Sequence, residues 1–236
     1  MNKIRLETKM TVVNIKSPFR GKASDASESV YDNTFIFERG KIYGIICEPR
    51  QGGDALSCFM SNQISWENEE MYFDEVQVNP SDIGEISWYM GKPIYSKGII
   101  KREISVRKAL NKAISQYHRY GNINDIISEF SLQTKSLDYG LSKYGYERWR
   151  ASLAIGYAKC KIIYCFPWLN SSRFYNWIMH SSVYCFFRKL KDEGNILILP
   201  TIRRANVEGF ADEIIEIHNP DTDSIVVNNQ YFKDYY

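Results

Sequence analysis

The sequence predicts an α/β fold built on a largely parallel β-sheet, and three observations favour it. The apolar run at residues 42–46 has the composition of a buried strand, and a glycine-containing turn and an apolar helix start follow it. In the last third of the chain, short apolar runs alternate with segments of helical periodicity. Strands that alternate with helices form parallel sheets covered on both faces. The length of 236 residues, 44% of them hydrophobic, suits one large domain with a subdomain inserted.

The first part of the chain is expected to be rich in β-structure. Residues 10–15 and 34–37 carry strand-forming residues and are separated by a polar stretch that includes residues 24–29, which we interpret as a loop. After the strand at 42–46 and the first helix, residues 71–78 alternate and predict one strand. Residues 86–90 predict another short strand.

Helical patterns dominate the middle of the chain. The pattern predicts a helical subdomain at residues 91–155, inserted into an α/β core formed by residues 1–90 and 156–218. Residues 219–236 are expected to form a partly mobile C-terminal tail. Within these limits we predict helices at 106–120, 123–130, 144–158, 174–190 and 205–211, and strands at 161–165, 195–199 and 213–217.

The charge and cysteine content restrict the classes of partner. Thirty basic against 28 acidic residues leave a net charge of +2, so composition does not favour a nucleic-acid partner. The five cysteines form no C-x-x-C pair and the N-terminus has no apolar signal region, so we expect a cytosolic protein with reduced thiols. Polar residues interrupt every long apolar run, so membrane attachment is expected only through a partner.

The segment GKIYGIICEPRQGGDALSC at residues 40–58 has the outline of a phosphate-binding loop without its chemistry. The motif G-x-x-x-x-G-K-[ST] cradles phosphate with backbone N–H groups, while its Lys binds phosphate and its Ser/Thr holds Mg²⁺. In register, Cys47 replaces the first glycine, Gly52 is the second, Gly53 replaces the Lys and Asp54 replaces the Ser/Thr. Arg50 remains as an anion contact or as a solvated loop residue. Without further signals, two glycines after a strand are most often a simple turn.

Two later blocks strengthen the interpretation of this loop. The segment LSKYGYERWRASLAIGYAKCKIIYCFPWLNSS resembles the stretch of an ATP-binding-cassette (ABC) ATPase from its signature motif, LSGGQ, through its Walker B strand, without a gap between Leu141 and Cys165. The segment ILILPTIRRANVEGFADEIIEI resembles the switch strand and the region after it. The resemblance implies a P-loop NTPase-like ABC cassette, with an N-terminal antiparallel β region and an inserted helical subdomain.

Nearly every residue that carries the chemistry of this family is replaced. The resemblance assigns Cys165 to the Walker B Asp that binds Mg²⁺, Phe166 to the catalytic Glu and Ile202 to the switch His. Ser172 stands for the D-loop Asp, and Gly91 is near the position of the Q-loop glutamine. No metal is therefore expected.

These replacements remove the means of phosphoryl transfer, which depends on positioning and on neutralisation of charge. Each lost charge-assisted contact is worth roughly 1.5–3 kcal/mol, and Asp54 would add negative charge beside the phosphates. We expect no ATP hydrolysis by the isolated chain and no cofactor in its own site.

The signature segment keeps more of its residues. Ser142 and Gly145 match the family pattern, whereas Lys143 and Tyr144 replace the two glycines. In this family two subunits associate head to tail, and each ATP lies between one subunit's phosphate loop and the other's signature. The resemblance therefore implies that Ser142, Lys143 and Gly145 contact ATP in trans, with Ser142 near a helix N-terminus that favours anions.

These partial matches imply a heterodimer. The expected partners are a catalytically intact ABC ATPase subunit, which shares ATP with this chain, and separate transmembrane permease chains at the inner face of the cell membrane. Short peptides for export are the cargo that the resemblance suggests. The alternative is an interaction or regulatory protein that keeps the cassette fold without transport or hydrolysis. Residual nucleotide binding without Mg²⁺ is a third interpretation.

The cysteines, histidines and aromatic clusters can also be explained by ordinary structural roles. Cys47 and Cys165 lie at the carboxyl ends of predicted strands, where a redox pair or a metal site is an alternative to ordinary core packing. The three histidines have no spacing typical of a metal site. Aromatic clusters at residues 88–90 and 168–177 fit either a docking surface or the core.

Overall fold

The computed structural model describes residues 1–16, 25–64 and 70–217, and its centre is a five-stranded parallel sheet. The strand order is β11-β5-β10-β9-β8, and all neighbouring pairs are parallel. This agrees with the predicted α/β class. The strands of the whole chain are β1 (Lys3–Thr8), β2 (Thr11–Lys16), β3 (Asp25–Val30), β4 (Asn33–Glu38), β5 (Lys41–Ile46), β6 (Glu70–Phe73), β7 (Val76–Gln77), β8 (Ser87–Tyr89), β9 (Ile163–Cys165), β10 (Ile196–Thr201) and β11 (Glu213–Glu216).

The parallel sheet separates two hydrophobic cores. Along β10, Ile196 and Ile198 pack into one core while Leu197 and Leu199 pack into the other, because successive side chains of a strand point to opposite faces. Burial on both faces explains the continuous apolar run of this strand. The first core contains the antiparallel strands and the first helix, and the second contains the helical subdomain.

The N-terminal region is antiparallel, as predicted. One sheet has the order β4-β1-β6-β7, and β2 pairs with β3 in a separate ribbon. Two predictions were wrong here. Residues 25–30 form β3 instead of a loop, since each pairs with a residue of β2. Residues 71–78 are not one strand but a hairpin, because Asp74 and Glu75 adopt positive φ angles of 46° and 67° and reverse the chain.

Three helices that pack on the second core were predicted within a few residues. Their bounds are α3 (Val106–Tyr117), α4 (Ile123–Glu129) and α5 (Arg148–Ala158), and short 3₁₀ turns at 141–143 and 145–147 precede α5. The Ser105 and Asn122 side chains cap α3 and α4 by accepting backbone N–H bonds. The first helices of the chain are α1 (Gly53–Met60) and α2 (Pro80–Ile86).

The predicted helix at 174–190 is broken into short pieces. The structure has α6 (Ser171–Phe174), a π-helical turn at 175–180, a 3₁₀ turn at 183–186 and α7 (Phe187–Asp192). Ser181 donates its hydroxyl to the Trp177 carbonyl at 2.6 Å and Ser182 adopts a φ of 59°, which together interrupt the regular ladder. Residues 204–206 form only a 3₁₀ turn, so the predicted helix at 205–211 was also wrong.

Strand β1 and helix α2 also escaped the sequence prediction. Strand β1 alternates between buried and half-buried residues, and α2 begins with a capping box between Asn79 and Asp82. The predicted tail at 219–236 and His218 lie outside the described residues. Within the described part of the chain, no helix combines the length and apolarity needed to cross a membrane.

Candidate functional site

The loop between β5 and α1 has the strand, turn and helix geometry that the sequence predicted. Cys47 follows β5 and donates its N–H to the Thr201 carbonyl at 3.1 Å, which extends the pairing with β10. Gly52 has a φ of 96°, a conformation that glycine adopts without strain, and its carbonyl accepts the N–H of Leu56 at 2.8 Å. The loop therefore directs the N-terminus of α1 to the carboxyl end of the sheet.

Gly53, at the position that the resemblance gives to the phosphate-binding Lys, has no space for a side chain. A Cβ atom added there would lie 2.5 Å from Cys47 Sγ, 3.1 Å from Trp168 Cδ1 and 3.2 Å from Pro200 Cβ. A lysine at this position would have to displace buried atoms on three sides. Gly53 therefore serves the packing of α1 against the sheet.

Asp54, which the resemblance assigns to the position of the Mg²⁺-binding Ser/Thr, is a buried structural carboxylate. Only 4% of the residue is exposed, and its Oδ1 accepts the backbone N–H of Trp168 at 2.8 Å and the Tyr89 hydroxyl at 3.3 Å. Burial, with the neighbouring Asp54 charge, raises the pKa of Tyr89, so this phenol remains a donor. Trp168 also donates Nε1 to the Cys47 carbonyl at 3.1 Å. These bonds join α1 to β8 and to the segment after β9.

The first turn of α1 already binds a carboxylate of the same chain. Glu28 on β3 is 3% exposed, and its Oε2 accepts the backbone N–H of Ala55 at 2.9 Å. The N–H groups of a helix N-terminus attract anions, and this is the property that phosphate loops use. A cavity beside Gly52 has a volume of about 50 Å³, whereas ligand pockets usually measure about 300–1,000 Å³.

The two buried cysteines beside the loop are poorly suited to redox or metal chemistry. Burial raises the pKa of the Cys47 thiol, and the Glu28 and Asp54 carboxylates raise it further. Burial alone raises the pKa of Cys165. A thiol must lose its proton to act as a nucleophile or a metal ligand. Among the described residues, no group of His, Cys, Asp or Glu could hold a metal ion.

Phe166, which the resemblance assigns to the position of the catalytic Glu, lies in the core. It is fully buried, and its ring centroid lies 6.5 Å from that of Trp149 and 5.7 Å from that of Phe187. Ile202, which the resemblance assigns to the position of the switch His, packs against the first core. These two side chains cannot position water or bind a phosphate.

The two remaining family positions differ in exposure. Gly91 is buried, accepts a hydrogen bond from Arg148 and donates its N–H to Ser152 Oγ at 2.7 Å. Ser172 is exposed in α6. Arg50 is also exposed, and its carbonyl accepts the Ser29 N–H at 3.2 Å.

The signature-like segment is held by a second carboxylate. Glu103 accepts the Ser142 backbone N–H at 2.8 Å and also accepts the Ser142 hydroxyl. Ser142 is the middle residue of the 3₁₀ turn at 141–143 and does not lie at the start of α5. Lys143 and Gly145 are exposed, and Gly145 has a φ of 57°.

The structure thus gathers Cys47, Gly52, Gly53 and Asp54 of the predicted phosphate loop in one buried region and leaves Arg50 exposed. The signature residues lie at the surface of the helical region. Glu28, Glu103 and Tyr89 were missed as members of these arrangements, because each partner is far away in sequence. Trp168, which sequence analysis placed in an aromatic cluster, is 4% exposed and belongs to the loop network. Most other members of the two clusters pack into the cores, whereas Tyr175 is 62% exposed.

Comparison with solved structures identifies the class of fold. The chain is similar to an ATP-binding subunit of an ABC transporter, with a TM-score of 0.62, 14% identity and coverage of 91% of this chain and 85% of that one. It is similar to a putative ABC transporter ATP-binding protein from Pyrococcus furiosus, with a TM-score of 0.57, 17% identity and coverage of 92% and 98%.

A third similar structure is cbiO1 from Clostridium perfringens, part of the ABC transporter complex cbiONQ. Its TM-score is 0.60 at 11% identity, and the match covers 92% of this chain and 85% of cbiO1. No protein-family model and no curated protein matches the sequence. The chain therefore has the fold of ABC ATP-binding subunits, as the sequence analysis predicted.

Proposed function

We propose that this chain is a non-catalytic homologue of an ABC transporter ATP-binding subunit, which pairs with a catalytically intact subunit and with permease chains. The observation that carries the proposal is the Glu28 carboxylate on the Ala55 N–H. An ATP phosphate at this helix start would have to displace a buried carboxylate or accept its repulsion. The filled space around Gly53 supports the same conclusion.

The apolar replacements at the family's catalytic positions support the lack of hydrolysis. Cys165 and Phe166 are fully buried and carry no carboxylate, so neither can hold Mg²⁺ or orient an attacking water. We therefore assign no cofactor to this chain's own loop.

The proposal assigns a role in trans to Ser142. In a head-to-tail pair, the partner would supply Lys, Mg²⁺ ligands and catalytic residues, and this chain would supply Ser142, Lys143 and Gly145. All three residues are exposed. ATP would then be shared between the subunits, and the Ser142 hydroxyl would exchange Glu103 for a phosphate oxygen.

The proposed membrane partners follow from similarity of fold. The similar cbiO1 is part of an ABC transporter complex. By analogy we place this chain at the inner face of the cell membrane, bound to separate permease chains.

The test is ATP turnover and nucleotide binding by the purified chain, alone and with an intact ABC ATPase that co-purifies with it. We expect neither turnover nor Mg-ATP binding by the chain alone, and turnover in the pair. Hydrolysis by the isolated chain would overturn the proposal. Glu28→Gln removes the charge at the helix start, and we expect it to leave turnover of the isolated chain absent, since the catalytic residues remain missing.

A second candidate function is an interaction or regulatory protein that keeps the cassette fold. The observation in its favour is the contact between Glu103 and Ser142, because a signature serine bound by its own chain does not need an ATP phosphate. In that case the chain would bind no ATPase partner, and the pair described above would not form.

A further inference from the structure

A cleft of about 740 Å³ lies on the molecule away from the phosphate loop, and three lysines line it: Lys92, Lys159 and Lys161. Glu85 is the one carboxylate among its described lining residues. None of the three lysines forms an ion pair with a described residue. The cleft therefore has an excess of positive charge and enough space for a small organic anion.

Lys159, directly after α5, holds its amine on the face of an aromatic ring in the cleft wall. The residue is half-buried, and its Nζ lies 4.7 Å from the centroid of the Trp88 ring. The ring is itself fixed, because Trp88 Nε1 donates to Ser152 Oγ at 3.0 Å. The amine therefore has a defined position at the surface of the cleft.

Lys161 places a second, fixed cation in the same wall. The residue is 6% exposed, and its Nζ donates to the Gly84 carbonyl at 3.0 Å and to the Glu85 carbonyl at 2.5 Å. These carbonyls orient the ammonium group without neutralising its charge. Because an ammonium group has three N–H donors, a third can still face an anion.

The surroundings of Lys159 favour the neutral, nucleophilic form of its amine. The pKa of Lys159 is lowered to about 8, mainly by burial and also by the charges of Lys161 and Lys112, whereas the Glu85 carboxylate acts in the opposite direction. At pH 7.5 about one quarter of such an amine is neutral, compared with about one part in a thousand for an ordinary lysine. A desolvated lysine beside other cations is an activated nucleophile.

We propose that Lys159 is an acylation site and that its acyl donor is an acyl phosphate. The phosphate of the donor would bind beside the Lys161 ammonium group, which brings the acyl carbonyl carbon to the Lys159 nitrogen. The nitrogen lone pair attacks this carbon and forms an amide C–N bond. The bond from the carbon to the phosphate oxygen breaks, phosphate leaves with the bonding electron pair, and the amine proton passes to solvent.

The test measures which lysines of the purified chain react with acetyl phosphate at pH 7.5. Peptide mass spectrometry after chymotrypsin digestion quantifies the products, and fragment ions separate Lys159 from Lys161. We expect acetylation of Lys159 to be at least about tenfold faster than that of the exposed Lys108 and Lys135. Inorganic phosphate should slow this reaction. The neutral donor p-nitrophenyl acetate should prefer Lys159 less and should be insensitive to phosphate.

Two variants test the neighbouring cations. Lys112→Gln removes an exposed charge on α3 and should slow Lys159 acetylation about twofold to threefold. Lys108→Gln, one turn earlier on α3, is the matched control and should leave the rate unchanged. Lys161→Gln should slow the reaction about fivefold or more, and urea unfolding checks that it is folded. Should it be unstable, Lys112→Gln and the phosphate competition still decide the outcome.

The pH profile separates Lys159 from an ordinary lysine. Its acetylation rate should level off above a pH of about 8, whereas that of Lys108 should still rise. Cys160→Ala should leave the rate unchanged, although this neighbouring thiol is exposed.

Three outcomes would overturn the inference. They are equal acetylation of Lys159 and Lys108, a Lys159 rate that neither phosphate nor Lys112→Gln reduces, and loss of Lys159 acetylation in Cys160→Ala. The last outcome would show that the acyl group arrives through the thiol. The site is separate from the proposed role in ATP turnover, so failure of acylation and failure of the proposed function are distinguishable.

Discussion

The Glu28 carboxylate accepts the backbone N–H of Ala55 at 2.9 Å, which places a buried negative charge of β3 at the N-terminus of α1. Helix starts are stabilised by negative charge. Phosphate loops use this property for a ligand, whereas here the chain supplies the anion itself. The contact therefore couples the N-terminal β region to the first turn of α1.

Removal of this carboxylate should lower the free energy of unfolding. Glu28→Ala leaves the buried Ala55 N–H without this acceptor, and we expect a loss of about 2–3 kcal/mol. Glu28→Gln keeps an acceptor but removes the charge, with an expected loss of about 1 kcal/mol. Urea unfolding measures both. Glu208→Gln, at an exposed residue, is the control. A Glu28→Ala variant as stable as the wild type would contradict the assignment.

A side chain at Gly53 should be poorly tolerated because of contact and not because of backbone strain. Gly53→Ala brings a Cβ to 2.5 Å from Cys47 Sγ, and overpacking of this kind costs about 1–3 kcal/mol. Combining Gly53→Ala with Cys47→Ala removes Cys47 Sγ, the closest atom to the added Cβ, and should recover part of the lost free energy of unfolding. A double-mutant cycle in urea measures the coupling.

The control for this cycle is Gly209→Ala, since an added Cβ at Gly209 meets no atom within 4 Å. Equal losses at Gly53 and Gly209 would show that contact with Cys47 is not the cause. Strict additivity of Gly53→Ala and Cys47→Ala would lead to the same conclusion.

The sequence predicted the sheet and the loop because both depend on local patterns. The apolar runs of β5 and β10 and the turn at Gly52 could be recognised from composition alone. The environment of Asp54 could not be recognised in this way, because its partners Tyr89 and Trp168 are far away along the chain. The resemblance treats Asp54 as a replacement of a metal-binding residue, whereas in the fold Asp54 makes structural hydrogen bonds.

The same limit applies to the broken helix after residue 171. Its apolar periodicity predicted a continuous helix, and Phe174 and Ile178 are indeed buried. Periodicity reports which residues face the core but does not report the local turn type. The turn type is set by the left-handed conformation of Ser182 and by the hydrogen bond from the Ser181 hydroxyl to the Trp177 carbonyl. Hydrogen bonds of this kind from serine to the backbone compete with regular helix.

A carboxylate introduced at residue 166 should unfold the protein. Phe166→Glu would bury a charge between the rings of Trp149 and Phe187, and we expect a loss of more than about 4 kcal/mol. Phe166→Leu preserves an apolar side chain and should cost about 1–2 kcal/mol. Soluble yield and urea unfolding test this. A stable Phe166→Glu variant would contradict the core assignment.

Stability should rise with pH on account of Lys159. Its pKa is about 8 in the folded chain and about 10.4 in an unfolded one. Between these values the unfolded state binds more protons, so the free energy of unfolding increases with pH. Below pH 8 the cost of the buried charge is fully present. Partial exposure limits the gain to on the order of 1 kcal/mol.

The measurement compares wild type and Lys159→Gln by urea unfolding from pH 7 to about 9.5, below the range in which ordinary tyrosines ionise. Lys159→Gln should have a higher free energy of unfolding than the wild type at pH 7, and this difference between the two proteins should become smaller as the pH rises. Lys108→Gln changes an exposed lysine, so its free energy of unfolding should differ from that of the wild type by the same amount at every pH. A pH-independent difference for Lys159→Gln would contradict the lowered pKa.

Glu103 and Ser142 should have opposite effects on ATP turnover if the signature segment acts in trans. Ser142 is exposed, so Ser142→Ala should change the free energy of unfolding by less than about 0.5 kcal/mol. In a complex with an intact ATPase, loss of this donor should reduce turnover about tenfold or more. Glu103→Ala releases the Ser142 hydroxyl and should raise turnover, because ATP no longer competes with a carboxylate for the same donor. Steady-state turnover of the complex measures both changes, with Asp138→Ala as an exposed acidic control. If neither variant alters turnover while the complex still forms, Ser142 has no part in a shared ATP site.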